Sequence, residues 1–240
     1  MRLFSKNPMA SLSSLRANLR KHILFIGLFV ILGFIALQIP FTRLAGSKTT
    51  FTAFDFFGPI ATGFIGTVPG VIAVFLMQFL NFLLHGAKIL DAGTIIRFFP
   101  MLFAAFYFSK KRRTDIIIPA LAILAFTLHP IGRTVWYFSL FWLIPIIAHF
   151  SREKFLIARA LGATFTAHAV GGALWIYAFR LQASVWNSLI PIVIVERALF
   201  ALFIAASYFL LNNLTHFVGT RKLKQLEALV NRNELWSFNQ

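Results

Sequence analysis

Several ionisable side chains lie within or beside long apolar stretches of this sequence. An ionised group inside a bilayer is costly, so it needs a partner, a cavity or a task. The set comprises Asp55, Arg97, His129, Arg133, His168, Glu196 and Arg197, and Trp186 and Asn187 add polar groups close to the last pair. Binding sites for small molecules are mostly apolar with a few convergent polar groups. These nine residues are therefore the predicted ligand-binding residues.

The same side chains also permit a structural interpretation. An acidic residue can pair with an arginine between helices, and arginines near helix ends can extend to lipid headgroups. Neither His129 nor His168 has a carboxylate three or four residues away, and the sequence has no HExxH, GxSxG or GxxxxGK[ST] motif and no cysteine. We therefore predict no metal site, no cofactor, no ATP site and no catalytic residue.

The composition predicts the surroundings of these groups. Apolar residues make up 59% of the chain, charged residues 12%, and the mean hydropathy is +0.79, whereas soluble proteins carry about 25% charged residues. The formal net charge of +16 lies in short basic clusters between apolar runs. That is the positive-inside pattern of membrane proteins, and it argues against nucleic acid as a partner.

The apolar runs predict an all-α, polytopic transmembrane helix bundle of about six to eight helices. One segment, 54–70, is apolar but is interrupted by glycines and prolines, which break helices, so we predict a short arm over about 56–66 before the next helix. The full runs are about 23–41, 69–85, 95–109, 116–130, 133–150, 156–179 and 188–213.

Three regions follow from this layout: a basic cytoplasmic segment 1–22, a single membrane domain 23–214, and a cytoplasmic tail 215–240. The tail either forms a short helix on the membrane surface or is solvated. If the short arm counts as a crossing, most basic residues fall on one side of the plasma membrane together with both termini. All of the ionisable set except His168 then lies near the outer side.

The stretch FDFFGPIATGFIGTVPGVIAVFLMQFLNFLLHG, which begins at Phe54, and the later AGTIIRFFPMLFAAFYF with its basic loop have a recognisable pattern. They resemble the substrate-capture (S) components of energy-coupling factor (ECF) transporters for vitamins and metal ions. The resemblance implies an outer-side site for a vitamin-like molecule or an ion, and a transmembrane coupling subunit with ATPases as partners. The chain lacks the N-terminal His motif of metal-uptake relatives, with Arg2-Leu3-Phe4 in its place, and the Ala-x-x-x-Ala motif of the first helix.

The function we expect is capture of a small solute from the outer side by a multi-pass membrane protein that is not an enzyme. Two alternatives remain open. One is a membrane scaffold or assembly subunit without a ligand, whose interior would be solid. The other is an intramembrane lipid-modifying enzyme with His168 and Glu196 as acid and base, whose cavity would open sideways to lipid.

Overall fold

The computed structural model describes residues 23, 25–43, 50–85, 92–221 and 229–231. The predicted segment 1–22 lies outside the described residues, as does most of the tail beyond Arg221. The helices are α1 (Phe25–Leu37), α2 (Phe54–Phe57), α3 (Ala61–Ile65), α4 (Thr67–His85), α5 (Ala92–Phe108), α6 (Thr114–Leu128), α7 (Pro130–Thr134), α8 (Leu143–Ala148), α9 (Leu156–Phe179) and α10 (Ala183–Arg221). The predicted all-α class is confirmed.

Among the described residues, a small antiparallel hairpin is the exception to the helical architecture. Strand β1 (Pro40–Arg43) pairs with β2 (Thr50–Thr52). The ring of Phe41 on β1 lies 5.5 Å from that of Phe200, and the ring of Phe51 on β2 lies 5.2 Å from the same ring. The aromatic side chains of the hairpin therefore pack it against α10.

The predicted glycine- and proline-broken segment is present. Helix α2 continues through a 3₁₀ turn, Gly58–Ile60, into α3, and Gly66 ends this arm with a φ of 85°, a conformation that favours glycine. Pro69 falls in the first turn of α4. Backbone N–H groups in the first turn have no partner within the helix, so the missing N–H of proline costs no hydrogen bond there. The Thr62 hydroxyl donates to the Ala105 carbonyl of α5 at 2.7 Å. The arm is thus a buried core element rather than a surface one.

Helices α5 and α9 pack against each other over an extensive contact that is lined by small residues. Ala160, Ala163 and Ala167 of α9 are buried. A Cβ atom added to Gly162 would overlap the Tyr107 ring of α5. Small residues at four-residue spacing allow helices to approach this closely. In this part of the chain they serve packing within the molecule.

Three predicted helices differ from the structure. The first, predicted over about 23–41, ends at Leu37, and strand β1 begins at Pro40. The run 133–150 is divided into α7, a 3₁₀ helix Trp136–Trp142 and α8. The tighter winding places side chains three residues apart on one line, so Ser139 and Trp142 both face the interior. The last helix begins earlier and ends later than predicted, and its 39 residues extend over about 58 Å.

Two of the described helices are long and apolar enough to cross a membrane, with spans at Thr67–Leu84 and within Ala183–Thr220. Their outward faces carry exposed leucines, among them Leu80 and Leu83 on α4 and Leu202 on α10. These features indicate association with a membrane. The larger number of crossings and the orientation of the termini stay predictions.

Candidate ligand cavity

A cavity of about 500 Å³ lies at one end of the bundle. The C-terminal halves of α4 and α9 meet the N-terminal halves of α5 and α10 at this end, and β2 and α2 complete the wall. Binding sites for small organic molecules typically have volumes of about 300–1,000 Å³. The dimensions of this cavity therefore suit a solute of that class.

Most of the predicted ligand-binding residues line this cavity. They are Asp55, Arg97, His168, Trp186, Glu196 and Arg197. His168, which sequence analysis placed apart from the others near mid-membrane, reaches the same space from α9. Their convergence is a property of the fold, and a role in ligand binding stays a prediction.

Arg197 is the most enclosed charged group of the cavity. Its guanidinium lies 4.9 Å from the ring centroid of Phe51 and 4.4 Å from that of Phe200, within cation–π distance of both. Nη1 donates to the Thr164 hydroxyl at 3.3 Å, and Nη2 lies 3.6 Å from Oε2 of Glu196. The buried Nε has no hydrogen-bond partner among the described residues. The two rings are in edge-to-face contact with each other, 5.2 Å apart, so both lie on the same side of this charge.

Asp55 joins the hairpin to the broken arm. Its Oδ2 accepts a hydrogen bond from the backbone N–H of Thr52 at 2.7 Å. This contact holds the end of β2 against the start of α2, and the carboxylate is close enough to Arg197 for an electrostatic interaction. Asp55 therefore contributes a negative charge to a wall that also holds a buried cation.

The partner of His168 is an indole rather than a carboxylate. Nδ1 of His168 accepts from Nε1 of Trp142 at 3.1 Å, and because an indole nitrogen only donates, Nδ1 carries no proton. The rings of Phe138 and Phe165 lie 5.5 and 6.1 Å from the imidazole. The imidazole is therefore a neutral wall group with its proton on Nε2.

Three predicted residues lie outside the cavity lining. His129 caps α7, where Nδ1 accepts from the N–H of Ile131 at 3.3 Å. Arg133 is exposed and donates to the Leu128 carbonyl at 3.4 Å. The Asn187 side chain accepts from the Tyr137 hydroxyl at 2.6 Å. Each is engaged by a neighbouring turn or helix instead of facing the cavity.

Sequence analysis missed other polar and aromatic groups of the lining. Gln78 and Asn81 of α4 both line the cavity. Two amide side chains three residues apart in an apolar helix lie on one face, so this spacing could have predicted a polar face on α4. Gln38 of the chain segment after α1 donates to Asn81 at 3.1 Å. No sequence signal placed the hairpin residue Phe51 here, because its position depends on tertiary packing.

The opposite end of the bundle holds a second cluster of buried charges. Oδ2 of Asp115 accepts from Nη1 of Arg152 at 2.7 Å and from the N–H of Arg112 at 2.9 Å, and Nδ1 of His149 lies 3.3 Å away. Arg152 also donates to the Ser109 carbonyl. Burial lowers the pKa of Arg152, and the Asp115 carboxylate opposes this shift. The cluster ties the 109–113 loop to the 149–155 loop.

Comparison of the chain with protein-family models, curated proteins and solved structures finds no match. Within the described residues, no three His, Cys, Asp or Glu side chains are grouped as metal ligands would be. The cavity and its lining are therefore the observations from which a function can be argued.

Proposed function

We propose that the protein is a multi-pass membrane protein that captures a small solute, in the manner of an ECF S component. The observation that carries this proposal is the cavity of about 500 Å³, whose apolar wall is interrupted by a few charged groups brought together from α2, α5 and α10. Such a combination is typical of small-molecule sites. A scaffold subunit without a ligand has no need for a space of this kind.

The distribution of charge supports an orientation with the cavity on the outer side. Lys110, Lys111 and Arg113 are exposed in the loop between α5 and α6, at the end of the bundle opposite the cavity. Basic loops remain on the cytoplasmic side. We infer that the cavity opens away from the cytoplasm and that both termini lie in the cytoplasm.

The surroundings of His168 favour capture over catalysis. An acid–base pair in a lipid-modifying enzyme would require His168 next to a carboxylate, and Trp142 occupies the Nδ1 position instead. The chain has no ATP-binding motif. Uptake of the solute would therefore depend on a transmembrane coupling subunit and its ATPases.

Two glycines offer a direct test of capture. Gly171 lines the cavity, and a Cβ atom there would meet Pro100 at an ordinary contact distance of 3.4 Å. The Gly171→Leu variant should therefore fill the cavity without disturbing the backbone. A Cβ atom added to Gly27 would have no neighbouring atom within 4 Å, so Gly27→Leu is the matched control.

The measurement is the melting temperature of the purified protein in nanodiscs, with and without a metabolite extract of the host, because a bound ligand stabilises the folded state. We expect the extract to raise the melting temperature of wild type and of Gly27→Leu, but not of Gly171→Leu. An equal rise in Gly171→Leu, or none in wild type, would contradict the proposal. Native mass spectrometry of the stabilised sample would then identify the solute.

A further inference from the structure

The imidazole of His168 is held in one tautomer by a buried partner. Trp142 is fully buried, and its Nε1 donates to Nδ1 of His168 at 3.1 Å. A Cβ atom added to Gly172, one helical turn after His168, would lie 2.6 Å from Cζ2 of the same indole. This glycine therefore leaves the room that the indole needs to reach the imidazole. Because an indole nitrogen only donates, the proton of the imidazole stays on Nε2.

The other ring nitrogen of His168 is directed to the cavity. His168 is partly exposed, although the residues on either side of it along α9 are buried. It lies in the middle of the stripe of α9 that lines the cavity, which consists of Thr164, Ala167, His168, Gly171, Gly172 and Trp175. The bond from Trp142 is the only hydrogen bond of His168 among the described residues. Nε2–H is therefore a fixed donor that faces the cavity.

The wall around this donor offers it no acceptor. The ring of Phe138 lies 5.5 Å from the imidazole, and the ring of Trp186 lies 5.0 Å from that of Phe138. Both rings line the cavity. The indole of Trp186 can only donate, and its buried Nε1 has no partner among the described residues. A ligand that displaces water from this wall must therefore supply an acceptor, because an unpaired buried donor is costly.

The same wall constrains the body of the ligand. Phe138, Trp175 and Trp186 all line the cavity on the side of His168. Aromatic rings pair with one another in stacked or edge-to-face geometry, which contributes beyond simple area burial. A flat ring therefore fits this part of the wall better than an aliphatic chain of similar volume.

We infer that the cavity binds an aromatic heterocycle whose acceptor atom, such as a ring nitrogen, receives a hydrogen bond from Nε2 of His168. This inference rests on the proposed capture function. His168 determines specificity in this arrangement, and Trp142 is a positioning residue that acts through it. A site that donates a hydrogen bond to its ligand discriminates strongly against an analogue without the acceptor.

Indole and indazole test the inference because they differ by one acceptor. Both are flat bicyclic molecules with one N–H group, and indazole has an acceptor nitrogen where indole has a CH group. Their dissociation constants are measured by isothermal titration calorimetry on the full chain in nanodiscs at neutral pH, with empty nanodiscs as the reference for partition into lipid. Wild type should bind indazole at least about tenfold more tightly than indole.

Variants of the donor and of its partner make the test sharper. His168→Phe keeps a ring but has no N–H, so it should bind indole and indazole equally. His168→Gln places an amide N–H close to the position of Nε2 and should restore part of the preference. Trp142→Phe no longer fixes the tautomer, so the preference for indazole should fall. Trp136→Phe, an exposed residue outside the cavity lining on the same 3₁₀ helix, is the matched control and should keep it.

Nitrogen-15 NMR of the imidazole locates the contact within the cavity. Addition of indazole to wild type should shift the Nε2 signal of His168, whereas indole should leave it nearly unchanged. A shift of equal size with both molecules would show that Nε2 does not donate to the acceptor nitrogen, and the inference would be overturned.

The outcomes separate this inference from the proposed function. If wild type binds indole as tightly as indazole, or if His168→Phe keeps the preference of wild type, the assignment of His168 as donor is wrong while capture stands. If wild type binds neither molecule, the proposed ligand class is wrong. Capture itself is judged by the response of Gly171→Leu and wild type to the extract.

Discussion

The two ends of the bundle both bury charged side chains, but they do so differently. At the basic end, Asp115 and Arg152 are 2.7 Å apart, and two further donors contact the same carboxylate oxygen. At the cavity end, Arg197 and Glu196 are 3.6 Å apart, and Nε of Arg197 has no described hydrogen-bond partner. The charges at the basic end are therefore held by short, multiple contacts, and those at the cavity end by a longer pair.

The largest effect should come from breaking the tight cluster. In Asp115→Ala, Arg152 remains buried without a counter-ion, and the expected loss is about 3–5 kcal/mol in the free energy of unfolding. The measurement is denaturant unfolding in detergent micelles, followed by far-UV circular dichroism. Asp115→Asn, which keeps an acceptor oxygen, should lose less. A loss in Asp115→Ala no greater than that of a cavity variant would contradict the structural role assigned to this end.

Two glycines on α9 allow packing density beside the cavity to be compared with packing density at the contact with α5. Gly162 lies against Tyr107 with no room for a methyl group, and Gly171 faces the cavity. Gly162→Ala should therefore cost about 1–3 kcal/mol of stability, because overpacking forces the neighbours to move. Gly171→Ala should change stability little. Thermal unfolding of the two variants side by side checks this, and equal losses would show that the cavity end is packed as tightly as the rest.

A smaller effect on stability than at the basic end should come from the cavity pair, Arg197 and Glu196. Glu196→Gln removes one of the two carboxylates near the buried Arg197, but Asp55 remains as a counter-charge, so the loss in the free energy of unfolding should be smaller than that of Asp115→Ala. The same variant should alter ligand binding, because it changes the charge of the lining. Unfolding and calorimetry on one preparation measure both. A large loss of stability without a change in binding would reverse the distinction between the two ends.

The hydrogen bond between Trp142 and His168 can be tested by a single substitution. Trp142→Phe keeps a ring in the fully buried position but removes the N–H that holds Nδ1 of His168. The expected cost is about 1–2 kcal/mol, for one neutral hydrogen bond together with some lost volume. Nitrogen-15 NMR of the imidazole should then show a change in the proton distribution between Nδ1 and Nε2. An unchanged spectrum would mean that the indole does not set the tautomer.

Local sequence patterns were sufficient to predict some structural features of this protein. The composition predicted a helical chain, and the glycines and prolines of 54–70 predicted the break that Gly66 makes, because backbone conformation is a local property. Helix direction alone was enough to place Asp55, Arg97 and Glu196 at one level, since alternating helices bring distant residues to the same end. These expectations needed no knowledge of which helices are neighbours.

Tertiary structure decided the rest. Phe51 from the hairpin and Phe200 from α10 both contact Arg197, and Asp115 meets Arg152 across 37 residues. Neither arrangement has a local signature, because both depend on which surfaces pack together. For the same reason His129 and Asn187 lie outside the cavity, although both were predicted at the same level of the bundle as the residues that line it. The sequence by itself determined the helical class of the chain and the broken segment before α4. Only the packing of the helices decided which of the charged groups share a cavity.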